Sequence, residues 1–365
     1  MIYIHIPFCH RKCTYCAFYS KVEREGRKVE HYVDALLAEM ADRRGEQLRP
    51  VRTVYLGGGT PSILGISELG RIVDGLYTNF DLSEVEEVTI ECNPEDLTTE
   101  YLSGLRNLRF FNRLSIGVQS FDERLLRTIN RRHTPQQAIE AVRNANDAGF
   151  ENVTIDLMYG LPGQTLADWQ ATLEQATTLP VKHISAYALT VEDGTALALQ
   201  VKQGRVVPAD EELLLCQYDM LCQYLTAAGF EQYEVSNFCL PGWHSQHNSR
   251  YWDRTPYLGL GAAAHSFDGQ RRRWNSRLKV ESGKWTVESE EALSEEDAYN
   301  EILMLRLRTT KGITADEVPT AFSPRFSDGM ETMVERGWIE KIGSRYRPTR
   351  EGLLHADGMA SELFV

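Results

Sequence analysis

Short apolar runs rich in β-branched residues alternate with amphipathic stretches along the first half of the chain, and this alternation constrains the fold most. The runs lie at residues 2–6, 53–56, 87–91, 113–119, 152–158 and 183–189. Apolar residues recur at helical spacing at 29–40, 67–77, 135–148 and 168–176. Because parallel strands need crossover helices, we predict an α/β fold with a parallel sheet. A doubly wound open sheet and an incomplete (β/α) barrel both fit, and both place reactive groups at the carboxyl ends of strands.

The pattern changes after the sixth predicted strand. We predict a long helix at 210–226, an extended segment at 230–238 and a loop-rich, aromatic-rich stretch from 240 to about 285. Helical spacing resumes at 301–307, and a hairpin-like sequence at 338–346 precedes a terminal helix. This tail favours a small winged-helix-like α+β unit. We therefore divide the chain into residues 1–235, 236–294 and 295–365.

Composition narrows the class of protein. Lys and Arg total 39 against 52 Asp and Glu, so the net charge is −13, which disfavours nucleic-acid binding. No stretch approaches the roughly 20 apolar residues that span a bilayer, and the amino-terminal residues do not resemble a secretory signal. We expect a cytoplasmic protein. Cys216 and Cys222 lie in the predicted helix at 210–226, where buried small hydrophobic residues are expected.

Three of the seven cysteines lie close together, directly after the first predicted strand. Cys9, Cys13 and Cys16 form a CxxxCxxC motif, which in a cytoplasmic protein favours metal binding over disulfides. Three thiolates at this spacing suit a [4Fe–4S] cluster with one iron left open. The alternative is a structural zinc site with His5 or His10 as the fourth ligand.

The motif and its flanking sequence carry a family resemblance. Tyr-Ile-His-Ile-Pro-Phe-Cys at residues 3–9, followed by the cysteine motif, resembles the radical SAM superfamily. Within it, the sequence is similar to the branch of oxygen-independent coproporphyrinogen III oxidases and heme chaperones. The resemblance implies a [4Fe–4S] cluster on Cys9, Cys13 and Cys16, with exchangeable S-adenosylmethionine (SAM) on the open iron. It also implies a partial (β/α)6 TIM-type barrel with a small winged-helix-like C-terminal domain.

Residues near later strand ends extend the resemblance to the SAM site. A glycine-rich run follows the second predicted strand, and polar side chains end or follow later strands. The residues implied to bind SAM are Tyr3, Gly58, Gly59, Thr60, Glu91, Gln119, Arg131, Asp156 and Ala188. In the family, the position of Glu91 contacts the ribose hydroxyls and that of Arg131 the carboxylate, which suits an arginine fork. Taken singly, each charged residue is equally compatible with a structural ion pair.

Three departures separate the oxidases from the chaperones. The oxidase pattern continues to a further cysteine, CxxxCxxCxC, where this sequence has Phe18. The oxidases carry an extension before the segment that begins here at Tyr3, where only two residues precede it. Residues 247–252 read HNxxYW, which is similar to the heme-associated signature of the chaperones. The resemblance therefore favours a heme chaperone over radical decarboxylation of coproporphyrinogen III.

The HNxxYW motif also has a chemical interpretation. A neutral imidazole is a good heme ligand and aromatic rings suit a porphyrin face. The residues expected at heme are His247, Asn248, Tyr251 and Trp252, with Arg250 or Arg254 at the propionates. The alternative is a capped loop in which His247 is hydrogen-bonded locally, and His244 and His265 compete as ligands. We expect a hemoprotein acceptor as the partner, with peripheral contact to membrane-bound hemoproteins also compatible.

Overall fold

The computed structural model describes residues 1–23, 27–46, 50–277 and 285–365. The strands are β1 (Ile2–Ile6), β2 (Phe8–Cys9), β3 (Lys21–Val22), β4 (Thr53–Gly58), β5 (Glu87–Cys92), β6 (Arg113–Gln119), β7 (Asn152–Tyr159), β8 (His183–Ala188), β9 (Glu231–Gln232), β10 (Asn237–Cys239), β11 (Leu258–Leu260), β12 (His265–Phe267), β13 (Arg271–Asn275), β14 (Val287–Ala292), β15 (Ile313–Thr314), β16 (Ile339–Ile342) and β17 (Arg345–Pro348).

The helices alternate with the strands of the first half and dominate the carboxyl end. They are α1 (Arg27–Asp42), α2 (Ile66–Asn79), α3 (Thr99–Asn107), α4 (Glu123–Thr128), α5 (Pro135–Asp147), α6 (Leu166–Thr177), α7 (Ala196–Lys202), α8 (Glu211–Ala227), α9 (Gln246–Trp252), α10 (Glu295–Arg306), α11 (Ser323–Glu335), α12 (Arg350–Leu354) and α13 (Ala356–Leu363). In the described part of the chain, no helix has the length and apolar content needed to cross a membrane.

The main sheet decides between the two predicted architectures. Its strand order is β11-β1-β4-β5-β6-β7-β8-β10-β9, and β1 and β4 to β8 are parallel neighbours in chain order. A doubly wound sheet reverses its strand order at a switch point, and these six strands do not. The sheet is therefore the partial (β/α)6 barrel, and the predicted fold class is confirmed.

The two faces of the barrel strands have opposite chemistry. Ile4, Leu56, Ile90 and Leu114 lie side by side in register and are fully buried against the surrounding helices. Because side chains alternate along a strand, the residues between them face the inside of the barrel, and many of these are polar. The inward-facing side chains of β6, for example, are Arg113, Ser115 and Gln119, with Gly117 between them. The interior of the barrel is therefore a polar site rather than an apolar core.

About half of the described residues from 240 to 285 lie in loops, and the others form short elements that the sequence did not predict. These elements are α9, β11, β12 and β13, and β11 extends the main sheet parallel to β1. The predicted extended segment at 230–238 is two short strands, of which β10 pairs antiparallel with β8. Three-residue strands are too short for sequence periodicity to reveal. The boundaries proposed at 235 and 294 stay a prediction.

The long helix α8 corrects one of the cysteine predictions. Cys222 is buried as expected, but Cys216 is exposed. The buried side of α8 packs on α6, where the fully buried Trp169 donates its indole N–H to the Gln217 carbonyl at 2.9 Å. Cys216 precedes this contact by one residue and points away from α6 because successive helical residues lie about 100° apart.

The carboxyl-terminal unit has its own apolar cluster. Helices α10, α11 and α13 pack on the small sheet β15-β17-β16, with Tyr299, Leu303, Phe326 and Met330 fully buried. Helix α11 followed by the hairpin β16–β17 is the predicted winged-helix-like arrangement. Arg306 joins this unit to the end of the barrel through an ion pair with Asp253.

Substitution of Gly259 in β11 tests how closely β11 packs against β12. A Cβ atom at this position would lie 1.8 Å from the backbone oxygen of His265 in β12. Gly259→Ala is expected to lower the free energy of unfolding by about 2–3 kcal/mol, because backbone atoms must move to relieve the overlap. Gly358→Ala is the control, since its Cβ would meet nothing within 4 Å in α13, and a helical alanine adds up to about 1 kcal/mol. Urea unfolding measures both, and equal stabilities would contradict the packing described.

Candidate active site

The loop that carries the three cysteines is held at the carboxyl ends of the barrel strands. Cys9 ends the short strand β2, and the loop that follows it carries Cys13 and Cys16. The Thr14 N–H donates to the Ile129 carbonyl at 3.2 Å, and the Thr14 carbonyl accepts from Leu197 N–H at 2.8 Å. The Asn130 side chain donates to the Lys12 carbonyl at 2.8 Å. Neighbouring loops therefore fix the thiols in place.

A cavity of about 420 Å³ opens beside this loop and brings the predicted residues together. All three cysteines line it. Of the nine residues predicted for SAM, seven line the same cavity: Gly58, Gly59, Thr60, Glu91, Gln119, Arg131 and Asp156. The other two do not line it. The Tyr3 hydroxyl lies 3.1 Å from His5 Nδ1 and its ring stacks on Tyr55, and Ala188 is exposed at the end of β8.

The donor set fits an iron–sulfur cluster better than a zinc ion. Both ring nitrogens of His5 are engaged, Nδ1 with Tyr3 and Nε2 with the Tyr19 carbonyl at 2.9 Å. His10 Nε2 lies 3.9 Å from Asp96. In the described ranges, no three His, Cys, Asp or Glu side chains converge closely enough to hold one metal ion. A [4Fe–4S] cluster takes its cysteines on different iron atoms, so its thiols need not converge on one point.

The glycine-rich run after β4 packs tightly against β1 and β2. The Gly59 N–H donates to the Ile6 carbonyl at 2.8 Å, and a Cβ on Gly59 would lie 2.6 Å from the Phe8 carbonyl oxygen. Gly58 has a φ of +108°, which only glycine adopts readily. Its N–H donates to Glu91 Oε2 at 3.1 Å. The run therefore shapes the cavity wall and orients the carboxylate of Glu91.

Two inward carboxyl groups have shifted acidities. Burial raises the pKa of Glu91 to about 7, against the hydrogen bond that it accepts from Tyr55 Oη at 2.7 Å. Burial also raises the pKa of Asp156 to about 6, while the positive charge of Arg113 opposes the shift. Ser115 lies within 3.5 Å of the Asp156 carboxylate. Perturbed carboxyl groups in one cavity are typical of functional sites.

Arg131 contributes a cation to the cavity wall beside Cys13. One guanidinium nitrogen lies 3.7 Å from Cys13 Sγ, and another donates to Asn93 Oδ1 at 2.9 Å. Its buried Nε has no hydrogen-bond partner within the described residues. Gln119 nearby has a left-handed backbone, φ +65°, at a bulge that ends β6. A strained backbone and an unsatisfied buried donor both indicate a site that a ligand completes.

Several cavity residues were missed by the sequence analysis. They are Tyr15, Tyr55, Asn93, Arg113, Ser115, Ser185 and Tyr187. Most alternate with apolar residues on the barrel strands, as in Arg113-Leu-Ser-Ile-Gly-Val-Gln119. Period-two polarity inside a buried strand was therefore the signal that could have found them.

The HNxxYW motif forms the short helix α9, which closes the amino-terminal end of the barrel. Glu87 at the start of β5 accepts the N–H groups of Gln246 and His247, both at 2.9 Å. Ser245 caps the helix by accepting from the Asn248 N–H. Asn248 lines the cavity from below. The motif therefore reaches the cavity of the cysteines through one residue, Asn248.

His247 was predicted as a heme ligand, but it is not exposed. Its side chain is fully buried, Nδ1 lies 2.8 Å from Thr53 Oγ1 and Nε2 lies 3.2 Å from Tyr251 Oη. Burial lowers the pKa of His247 to about 3, so the ring is neutral. With both nitrogens used, the imidazole has no free position for iron while α9 stays in place. This is the locally hydrogen-bonded alternative that the sequence left open.

The other residues predicted for heme also have partners in the protein. Tyr251 packs edge-on against Tyr257 at 4.9 Å between ring centroids, and the Arg308 guanidinium lies 5.8 Å from the Trp252 ring. The two arginines expected at propionates, Arg250 and Arg254, pair with glutamates at 3.3 and 3.0 Å. None of these residues except Asn248 lines the cavity of the cysteines.

The chain matches two protein-family models and several known proteins. The Radical SAM superfamily model matches residues 3–176, and the HemN C-terminal domain model matches residues 293–355. The chain is 35% identical to the heme chaperone HemW of Mycobacterium tuberculosis, with 99% of this chain and 94% of the relative covered. It is 32% identical to the heme chaperone HemW of Escherichia coli, with 100% and 97% covered.

The chain belongs to the HemW family of the radical SAM superfamily. The chain is also 33% identical to radical S-adenosyl methionine domain-containing protein 1 of Danio rerio, with 86% of this chain and 73% of the relative covered. Among solved structures, coproporphyrinogen III oxidase (HemN) from Escherichia coli covers 100% of this chain and 89% of its own, with a TM-score of 0.84 and 23% identity. That likeness shows the fold.

Phe18 marks the departure of this HemW-family chain from the oxidase cysteine pattern. Its side chain is 70% exposed and lines the cavity beside Cys16. A large exposed apolar side chain at a cavity mouth costs little to bury beneath a ligand or a partner. The position therefore supplies apolar surface where the oxidase pattern supplies a thiol.

The raised pKa of Glu91 predicts a pH dependence of stability. Its folded pKa of about 7 lies above the ordinary value of 4.5, so the folded chain binds more protons between these values. The free energy of unfolding should therefore decrease as pH rises from about 5 to 7.5, by roughly 2 kcal/mol. Glu91→Gln should lack this part of the decrease, whereas Glu100→Gln on the exposed face of α3 should keep it. Urea unfolding at each pH measures the difference, and parallel curves for all three proteins would contradict the prediction.

Proposed function

We propose that this chain is a heme chaperone that binds heme, a [4Fe–4S] cluster and SAM, and transfers heme to an acceptor hemoprotein. The observation that carries the proposal is end-to-end similarity to relatives named as heme chaperones, at 35% and 32% identity. The acidic chain, with a net charge of −13, supports a protein or small-molecule partner rather than nucleic acid. We also propose a cytoplasmic location.

The cavity beneath the cysteine loop is the proposed cofactor site. Cys9, Cys13 and Cys16 would each provide one thiolate to the cluster, and the cluster would supply an electron to the sulfonium of SAM. Glu91, near the end of β5, and Arg131, in the loop between α4 and α5, both line the cavity, and their charges suit ribose hydroxyls and a carboxylate respectively. Glu91 is held in place by Tyr55 and Gly58, so its orientation does not depend on the ligand. Tyr3 and Ala188 do not line the cavity, so we do not propose direct contacts between them and SAM.

His265 is the heme ligand that this conformation favours. Of the three histidines weighed from the sequence, His247 is buried, His244 is half-buried against Tyr233, and His265 is exposed. The His265 ring stacks on Trp274 with 5.9 Å between centroids and 22° between planes. Partial loss of solvation lowers the pKa of His265, and the charge of Arg272 acts in the same direction, which favours the neutral imidazole. A neutral exposed imidazole beside an aromatic ring is suited to bind heme iron.

Hemin titration of the anaerobically reconstituted chain tests the heme site. Wild type should take up one heme per chain, followed by absorbance in the Soret region. His265→Ala should weaken binding at least about tenfold, which corresponds to about 1.4 kcal/mol. His355→Ala is the matched control, because His355 is also an exposed histidine stacked on a tryptophan, Trp338, at 4.4 Å.

His247→Ala separates the two assignments of the ligand. It should lower the free energy of unfolding by about 2–3 kcal/mol through the orphaned Thr53 and Tyr251 hydroxyls, while leaving heme affinity near that of wild type. Loss of heme binding in a folded His247→Ala protein, with His265→Ala unaffected, would show instead that α9 opens to bind heme. Failure of wild type to retain heme at micromolar concentration would overturn the chaperone proposal.

The rival activity, oxygen-independent oxidation of coproporphyrinogen III, has a direct assay. The reconstituted chain is incubated anaerobically with coproporphyrinogen III, SAM and dithionite, and the products are separated by chromatography. We expect no protoporphyrinogen IX, because Phe18 occupies the position of the further cysteine in the oxidase pattern. Stoichiometric or catalytic formation of protoporphyrinogen IX would favour the oxidase.

A further inference from the structure

Two of the three cysteines are joined by a continuous chain of side chains. Arg131 approaches Cys13 Sγ at 3.7 Å and donates to Asn93 Oδ1 at 2.9 Å. Asn93 Nδ2 donates to Thr60 Oγ1 at 3.3 Å, and the Thr60 hydroxyl donates to Cys9 Sγ at 3.5 Å. Sulfur hydrogen bonds are longer than those of oxygen, and these distances are within their range. Asn93, which follows β5 directly, is the middle of the chain.

The direction of each hydrogen bond follows from what each group can donate. A guanidinium only donates, so the oxygen of the Asn93 amide must face Arg131 and its NH₂ must face Thr60. The Thr60 oxygen thereby accepts from Asn93, and its single proton is free to point at Cys9 Sγ. The backbone of Asn93 is held in turn, because its N–H donates to Ser62 Oγ at 3.1 Å. The geometry therefore leaves one arrangement of donors.

We propose that Asn93 is a positioning residue that aims the Thr60 hydroxyl at Cys9 and so raises the reduction potential of the cluster. The inference rests on the proposed cluster at Cys9, Cys13 and Cys16. Hydrogen bonds to the sulfur ligands of iron–sulfur clusters tune their potentials. A donor stabilises the form with more negative charge, which is the cluster that has gained one electron. Without Asn93, the hydroxyl can rotate away from Cys9 and this stabilisation is lost.

A double-mutant cycle on Thr60 and Asn93 tests the inference. The midpoint potential of the one-electron couple is measured by anaerobic titration with dithionite, followed by electron paramagnetic resonance. Thr60→Val, which removes the donor, should shift the midpoint to more negative values. Asn93→Ala should shift it in the same direction and to a similar extent. The double variant should show no further shift, because both changes remove the same hydrogen bond.

Thr60→Ser is the matched control, since it retains the hydroxyl and should keep the wild-type potential. Iron content and circular dichroism must match wild type before potentials are compared. An unchanged potential in Asn93→Ala, or shifts that add in the double variant, would overturn the inference. So would failure of Asn93→Ala alone to assemble a cluster, because Asn93 would then act independently of Thr60.

The redox titration tests the role of Asn93 independently of heme binding. No heme is present in the titration, so a chain that fails to bind heme can still show the predicted cycle. Conversely, a heme-binding chain whose Asn93→Ala variant keeps its potential would retain the chaperone proposal and lose this inference. Wild type that assembles no [4Fe–4S] cluster would overturn both the cysteine assignment and the role of Asn93.

Discussion

The buried guanidinium of Arg113 is the charge on which the inside of the barrel depends. Its side chain is 2% exposed and lies 3.9 Å from the Glu87 carboxylate. A buried cation without counter-charge is prohibitively costly, so neighbouring strands must present acceptors towards it. Burial raises the pKa of Asp156, and the positive charge of Arg113 opposes this increase. Burial lowers the pKa of His183 and of His247, and the charge of Arg113 adds to this decrease. The carboxylates of the cavity and the neutral histidines below it are therefore parts of one electrostatic arrangement.

The ion pair between Glu87 and Arg113 also links the HNxxYW motif to the cavity of the cysteine motif. Glu87 pairs with Arg113 and also accepts the first two N–H groups of α9. The HNxxYW helix is therefore held to the buried guanidinium of Arg113 through Glu87. Asn248 on α9 lines the cavity that the cysteine loop covers from the other end.

The sequence predicts the framework of the barrel well, since long β-branched runs and amphipathic helices carry strong periodicity. The predicted strand at 113–119 coincides with β6, and the strand at 183–189 is one residue longer than β8. The three cysteines and seven of the nine residues predicted for SAM line one cavity, and their roles in binding SAM stay a prediction. Asn93 was missed because a single polar residue after an apolar strand shows no periodicity, whereas the alternation of polar and apolar residues along β6 could have revealed Arg113.

The HNxxYW motif marks the limit of the sequence analysis. Its residue types suit heme, but whether His247 is exposed depends on Thr53 and Tyr251, of which Thr53 lies 194 positions away in the chain. The seven-residue helix α9 is too short to show periodicity, and its first N–H groups donate to Glu87 on a distant strand. Tertiary contacts of this kind decide between a ligand and a structural histidine, and local sequence does not contain them.

Electron paramagnetic resonance of the anaerobically reconstituted, dithionite-reduced chain tests the central claim most directly. The claim is that the three cysteines and the cavity beneath them form one site for a [4Fe–4S] cluster and SAM. The account predicts a signal of a reduced [4Fe–4S] cluster that changes on addition of SAM and is absent when Cys9, Cys13 and Cys16 are replaced by alanine. A signal that SAM leaves unchanged, or one that survives the triple replacement, would contradict it.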